Sequence, residues 1–379
     1  METTEASGTL SRWAALSAVP DHRRAEGKRY PRASLLLIAI AAMLAGRRDQ
    51  LGIVRWGRRL SAETLAALGI ERPRVPAPSV WCELFRDLNV VALERVLGAW
   101  VRGGAPAGHV AIDGKRLRGS ATAASPGMHL LAAFSTGLEG VIGQLRVGPD
   151  ANEITAALEM LKTLPLQGTI VTGDAIFTQK AICRAIVDGG GDYFFTVKAN
   201  QPALKADIEQ AFRPFSPSTP WMPPPDLGQA ETIEKSHGRI ETRRIETTAS
   251  LRDLLAPEWK GAAQVCRITR ERIVRGRKTV ETVWAITSLK SEQAGPAQLL
   301  ALSRAHWAIE NRRHHVRDVS CREDQARTHV GNAPQVLAAC RNTALTLIRR
   351  IGLKIVEGFE HFAEHRSEAV AVVMHQRTE

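Results

Sequence analysis

Residues 109–120 read HVAIDGKRLRGS. Val110, Ala111 and Ile112 make the short unbroken apolar run of a strand covered on both faces, and it leads straight into Asp113, Gly114 and Lys115. A carboxylate at the end of a buried strand is costly unless something binds it. Gly114 lets another backbone approach closely, and Lys115, Arg116 and Arg118 supply cations suited to holding a phosphate.

The same signature recurs at 168–177, GTIVTGDAIF, where an apolar strand ends in Asp174. Between the two lie MHLLAAFST (128–136) and GVIGQLRVG (140–148), read as strands, and a helix over ANEITAALEMLKTL ending before Pro165. After Asp174 come the helix QKAICRAIVDGG, the strand DYFFTVK (192–198) and the helix PALKADIEQAF. Three strands, a helix, then alternating strand and helix is the element order of a ribonuclease-H-like α/β domain. In that fold the strands carrying Asp113 and Asp174 are neighbours. Paired carboxylates repel, and a divalent cation relieves the repulsion. Either aspartate alone reads more readily as a turn or helix cap; together, in these elements, they predict metal binding.

A pair of Mg²⁺ ions about 4 Å apart needs a third carboxylate. HWAIENRRHH places Glu310 on a helix dense in His and Arg, with Glu323 and Asp324 of CREDQAR as competitors. A continuous helix from 310 to 324 would separate them by about 21 Å, so only one can join the metals. Glu310 is the choice, and Glu323 and Asp324 are expected to anchor Arg322 and Arg327 or to orient the helix. Lys198 and Gln201, in VKANQP, are candidates for holding phosphate, with a solvated strand exit as the alternative. Trp307 reads as core rather than as a base-stacking platform. His306, His314 and His315 have no cysteine partner in a zinc-like spacing.

The remaining segments set the domain plan. Residues 1–107 read as an all-α N-terminal domain with basic connections, suited to DNA binding, although a structural helical cap also fits. The ribonuclease-H-like domain spans 108–350, interrupted at 213–296 by a β-rich insertion that opens with the proline-dense RPFSPSTPWMPPPDLG and contains a turn at RGRK. A tail occupies 351–379. The chain has 51 Lys and Arg against 39 Asp and Glu, a formal charge of +12, which favours a polyanionic partner, most simply nucleic acid. The five cysteines form no CxxC pair, so neither zinc cage nor disulfide framework is indicated. The longest apolar run, ASLLLIAIAAMLAG at 33–46, is shorter than the roughly 20 residues of a membrane span. With no secretory signal, the expected location is cytoplasmic, with no membrane association.

VAIDGKRLRGS, GQLRV with NEI, TIVTGDAIFTQ, DYFFTVKANQ, HGRIETRR, HWAIEN with DVSCRED, and GNAP with RNTAL occur in the order found in ISAs1-type insertion-sequence transposases. The chain thus resembles these H-repeat-associated proteins of the wider IS4-like DDE group, over nearly its whole length. The resemblance implies Mg²⁺-dependent DNA cleavage and strand transfer at terminal inverted repeats, with Mn²⁺ as an alternative ion. It implies Asp113, Asp174 and Glu310 as the catalytic, metal-binding triad, acting on double-stranded DNA in a homodimer. The group's Tyr-x2-Arg-x3-Glu-x6-Lys signature falls here on Ser303, His306, Glu310 and Arg317, so only the glutamate is identical; His306 and Arg317 would then contact phosphate. Arg313-His314-His315 stands where the family tends to carry Leu-His-Trp, which keeps open a catalytically silent, repurposed DNA-binding copy.

Overall fold

The Val110–Ile112 run forms the buried middle of strand β1 (His109–Leu117). A computed structural model describes residues 12–23, 28–213, 226–236, 238–307, 309 and 315–374. The other strands are β2 (Met128–Ser135), β3 (Gly140–Arg146), β4 (Ile170–Gly173), β5 (Asp192–Val197), β6 (Gly228–Ser236), β7 (Arg239–Thr248), β8 (Gln264–Val274) and β9 (Arg277–Thr287). Their order is β3-β2-β1-β4-β5-β9-β8-β7-β6. The first five positions give the ribonuclease-H-like arrangement: β2 and β3 are antiparallel, whereas β4 runs parallel to both β1 and β5. β1 does not stop at Asp113, as the sequence reading had it, but continues to Leu117; what stops is its partner, because β4 ends at Gly173.

The chain divides into two compact units, with β1 passing from one to the other. The first contains residues 1–105, 114–148 and 311–379. Its centre is the helix Arg32–Leu44, every residue of which is buried. A helix apolar on all sides is stable only when surrounded, and the helices Ala333–Arg350, Ile355–Glu364 and Arg366–Met374 join those of the N-terminal region in one apolar cluster with it. Residues 355–364 and 366–374 thus form two helices, with Phe362, Ala369, Val370 and Val373 buried at helical spacing. The helix Val90–Arg102 starts with Asn89 accepting the Ala92 N–H (3.0 Å) and ends at Gly103 with φ of 53°. On the same helix a Cβ at position 98 would lie 2.3 Å from the Ile142 carbonyl oxygen, so only glycine permits this helix-to-strand approach.

The second unit contains residues 106–113 and 149–310. Asn152 and Thr155 form a capping box at the start of the helix Glu153–Leu161. The amphipathic helix Lys180–Asp188 buries Ile182, Cys183 and Ile186. Strands β6 to β9 form an antiparallel meander, and β9 pairs with β5, so the β-rich insertion continues the sheet. The RGRK turn is a two-residue hairpin connection in which Arg275 and Gly276 have φ of 48° and 78°, the backbone that suits right-twisted strands. Within the ladder Glu234 accepts from Arg243 and Glu231 from Arg244, and Glu234 also accepts from Arg304 of the helix Pro296–His306. No helix among the described residues is long and apolar enough to cross a membrane.

Candidate active site

β1 and β4 run parallel with His109 opposite Ile170 and Ile112 opposite Gly173. The next residue on each chain is an aspartate, so Asp113 and Asp174 leave the ladder side by side. Asp113 is half-buried and Asp174 exposed. After Gly173 the chain enters a 3₁₀ turn, Ala175–Phe177, and the Phe177 ring folds back on the strand end. A Cβ on Gly173 would meet Phe177 Cδ2 at 2.8 Å, so this tight turn requires the glycine. Asn200 secures it by donating to the Ala175 carbonyl (2.7 Å).

His306, at the end of the helix Pro296–His306, is buried with Nε2 3.6 Å from Asp174 Oδ1. That separation is long for a hydrogen bond and the contact is chiefly electrostatic. The His306 N–H, together with charge from His306 and Lys198, holds the Asp174 carboxyl below the usual carboxylate range despite partial burial. The other His306 nitrogen, Nδ1, lies 3.2 Å from Thr172 Oγ1, and His109 Nε2 lies 2.8 Å from the same hydroxyl. Thr172 on β4 lies two residues before Asp174, whose backbone just past the strand is still extended, and therefore shares its face. Burial, reinforced by His306, pushes the His109 pKa down to about 4, so its ring is neutral near pH 7. The neutral His109 ring can donate from Nε2 to Thr172 Oγ1, and Thr172 links it to His306, whose Nε2 faces Asp174. Sequence reading missed His109, Thr172 and Asn200; the i, i+2 relation of Thr172 to Asp174 was the one local signal available.

Lys198 is exposed just beyond β5. It lines an open groove of about 590 Å³ together with Lys205, Arg267, Thr269 and Trp284. Gln201 turns inward, donating to the Thr178 carbonyl (2.9 Å) and Gln179 Oε1 (3.3 Å), so its amide nitrogen braces the segment after Asp174. Trp307 is 49% exposed rather than core, because it caps the helix end with its edge toward His306. Glu310 and its neighbours Asn311 and His314 lie outside the described residues, as does His237.

The remaining candidates belong to the first unit. Lys115 is almost buried and ion-paired with Asp318. The Arg118 side chain is 83% exposed, with Nε 3.9 Å from Asp324 Oδ2, and its backbone N–H donates to Asp324 Oδ1 (3.2 Å). Arg317 has no exposed side-chain surface; it donates to Glu323 Oε1 (2.6 Å), and Arg341 donates to the same oxygen. A guanidinium committed in this way is not presented to phosphate. Burial alone would raise the Glu323 carboxyl, but Arg317 and Arg341 bring it down to about 2. The expected anchors Arg322 and Arg327 are not its partners. The helix His315–Val319 ends early, and Arg322 takes a left-handed backbone (φ 45°) that turns Glu323 inward to Arg317 and Arg341.

Residues 104–347 match the family model described as transposase DDE domain, and residues 13–101 match its DDE_Tnp_1-associated companion. The chain is 29% identical over 342 residues to an Escherichia coli K12 protein named H repeat-associated putative transposase YhhI, covering 88% of this chain and 89% of that one. It is 32% identical over 277 residues to an uncharacterized protein from the dhlA 3′ region of Xanthobacter autotrophicus, covering 71% and 92%. Among solved structures, a piggyBac transposase synaptic complex with hairpin DNA aligns over 94% of this chain and 77% of that one, with a TM-score of 0.44 and 11% identity. With the family model spanning well over half its length, the chain belongs to the transposase DDE domain family, as an IS4-like DNA transposase.

Proposed function

We propose that this transposase cuts DNA at the terminal inverted repeats of its insertion sequence and joins the freed 3′-OH to target DNA, with Asp113, Asp174 and Glu310 as the metal-binding carboxylates. The observation that carries this reading is the β1–β4 register, which brings two aspartates out of adjacent parallel strands at one level. Their chemistry fits a hard divalent ion: oxygen donors only, with Asp174 exposed and its proton affinity lowered. Bound Mg²⁺ or Mn²⁺ would activate the attacking oxygen and polarise the scissile phosphate.

The chain's own residues supply position and field. His306, through Thr172 and His109, holds the Asp174 carboxylate in one orientation, so we assign it to positioning rather than to phosphate contact. Lys198 offers an exposed cation beside Asp174, and the exposed Arg118 guanidinium offers another to the DNA backbone. The basic excess draws the duplex, and two ends acted on together call for a homodimer on DNA.

The test is cleavage of a labelled duplex carrying the element's own end, in Mg²⁺, by wild type, Asp113→Asn and Glu310→Gln. Nicking at the end that both substitutions abolish, with DNA binding retained, is the expected result. Binding without any wild-type cleavage would identify a silent, repurposed copy. Loss in Asp113→Asn alone would remove Glu310 from the triad.

A further inference from the structure

Two histidines one helical turn apart, His361 and His365, stand at the C-terminal end of the helix Ile355–Glu364, and Glu368 lies in the first turn of the next helix, Arg366–Met374. One ligand atom from each of the three lies within 4.8 Å of the others. We propose that His361, His365 and Glu368 form a surface site for a Zn²⁺-class divalent ion, separate from the DDE carboxylates.

The local hydrogen bonding prepares these side chains for such an ion. His365 Nδ1 lies 2.9 Å from the His361 carbonyl, which can only accept, so Nδ1 carries a proton and Nε2 is the nitrogen left for an ion. A ligating histidine is commonly oriented in this way, through the nitrogen that does not bind. The two imidazoles stack with centroids 4.6 Å apart and planes inclined by 21°, which directs both rings to the same side. His361 Nε2 is 2.8 Å from Glu368 Oε2, and the proton shared there occupies the place an ion would take. Two donors on a tetrahedral ion with 2.0–2.1 Å bonds are roughly 3.3 Å apart. The 2.8 Å pair must therefore open slightly and His365, whose ligand atom lies within 4.8 Å of the others, must close by up to about 1.5 Å, a movement within reach of half-exposed side chains.

Two imidazoles and one carboxylate suit a borderline ion such as Zn²⁺ better than Mg²⁺, which prefers oxygen ligands. Three protein ligands leave a fourth position for water. Glu357 and Glu364, one turn before and one turn after on the same helix, add negative potential around the site, Glu357 being shared with Lys354 (3.2 Å). Because the ligands come from both sides of the break at His365, a bound ion would pin the junction of two helices that close the apolar cluster around Arg32–Leu44.

Tag-free full-length protein, stripped with chelator and dialysed into excess Mg²⁺, would be titrated with Zn²⁺ by calorimetry and by thermal melting. The expected result is one equivalent bound and a raised melting midpoint. His361→Ala, His365→Ala and Glu368→Gln should each weaken binding at least about tenfold, the scale at which even outer-shell partners register. Asp113→Asn and Cys82→Ser should bind as wild type does. No saturable Zn²⁺ uptake, or uptake lost in Asp113→Asn or Cys82→Ser and kept in the histidine variants, would overturn the assignment. The three altered side chains are at the surface, so unchanged circular dichroism spectra would separate lost binding from lost folding.

Discussion

Replacing Glu323 by Gln tests whether the buried cluster with Arg317 and Arg341 holds the first unit together through charge. Glutamine keeps the shape of the side chain and one acceptor oxygen, but leaves two guanidinium groups buried without a counter-charge. Removing one partner of a buried ion pair costs about 3–5 kcal/mol. An independent route gives a similar size. The Glu323 carboxyl is lowered from 4.5 to about 2 on folding, and at about 1.4 kcal/mol per tenfold change in proton affinity this is worth about 3 kcal/mol. The sign follows from the direction of the shift: a depressed carboxyl contributes its full stability above pH 4.5 and loses it as pH falls through 2. Hydrogen exchange of amides in the helix Ala333–Arg350, which carries Arg341, reads the local opening. Near pH 7 protection there should fall on the order of a hundredfold in Glu323→Gln. Urea unfolding should show the gap between wild type and variant constant from pH 7 to about 4.5 and narrowing from there toward pH 2, while other carboxylates titrate alike in both. Unchanged protection near pH 7, or a gap that stays constant with pH, would refute the charge argument.

Gly98→Ala should destabilise the protein by about 1–3 kcal/mol, since its new methyl must displace the Ile142 carbonyl 2.3 Å away, and a thermal melt would show the loss. Lys198→Ala should weaken duplex binding and reduce the slope of log affinity against log salt by about 0.9, the share of one phosphate contact, with the remaining slope intact.

The fold was legible because its signals are local and periodic. Val110–Ile112 and Ile170–Gly173 read as buried strands, and an aspartate after each located the candidate site once their adjacency was known. Side-chain partners across the chain were not legible. Glu323 pairs with Arg341, 18 residues on in another helix, while the nearer Arg322 only turns the backbone, and no spacing rule distinguishes them. His109 and Thr172 escaped notice for the same reason: each looks like an ordinary strand residue until His306 arrives from a helix more than a hundred positions later. The C-terminal helices were hidden by composition. Phe362, Ala369, Val370 and Val373 mark a buried face, but the intervening His and Glu residues diluted it. Trp307 shows the opposite error, a large apolar residue assigned inward on chemistry alone although it sits at a helix end facing solvent.

The β8–β9 hairpin also sets a length. Trp284 pairs with Val197, next to Lys198, and the strand then continues seven residues outward to Arg277 at the tip. At roughly 3.3 Å per residue this is about 23 Å. B-form DNA advances about 3.4 Å per base pair, so a duplex lying along the hairpin would pass some seven base pairs between Lys198 and the exposed Arg275 and Arg277. The hairpin would then act as a ruler, and deleting two successive cross-strand pairs beside its turn, which keeps the tip arginines on the same face, would shorten the protected footprint by about two base pairs while leaving the Asp113–Asp174 end untouched.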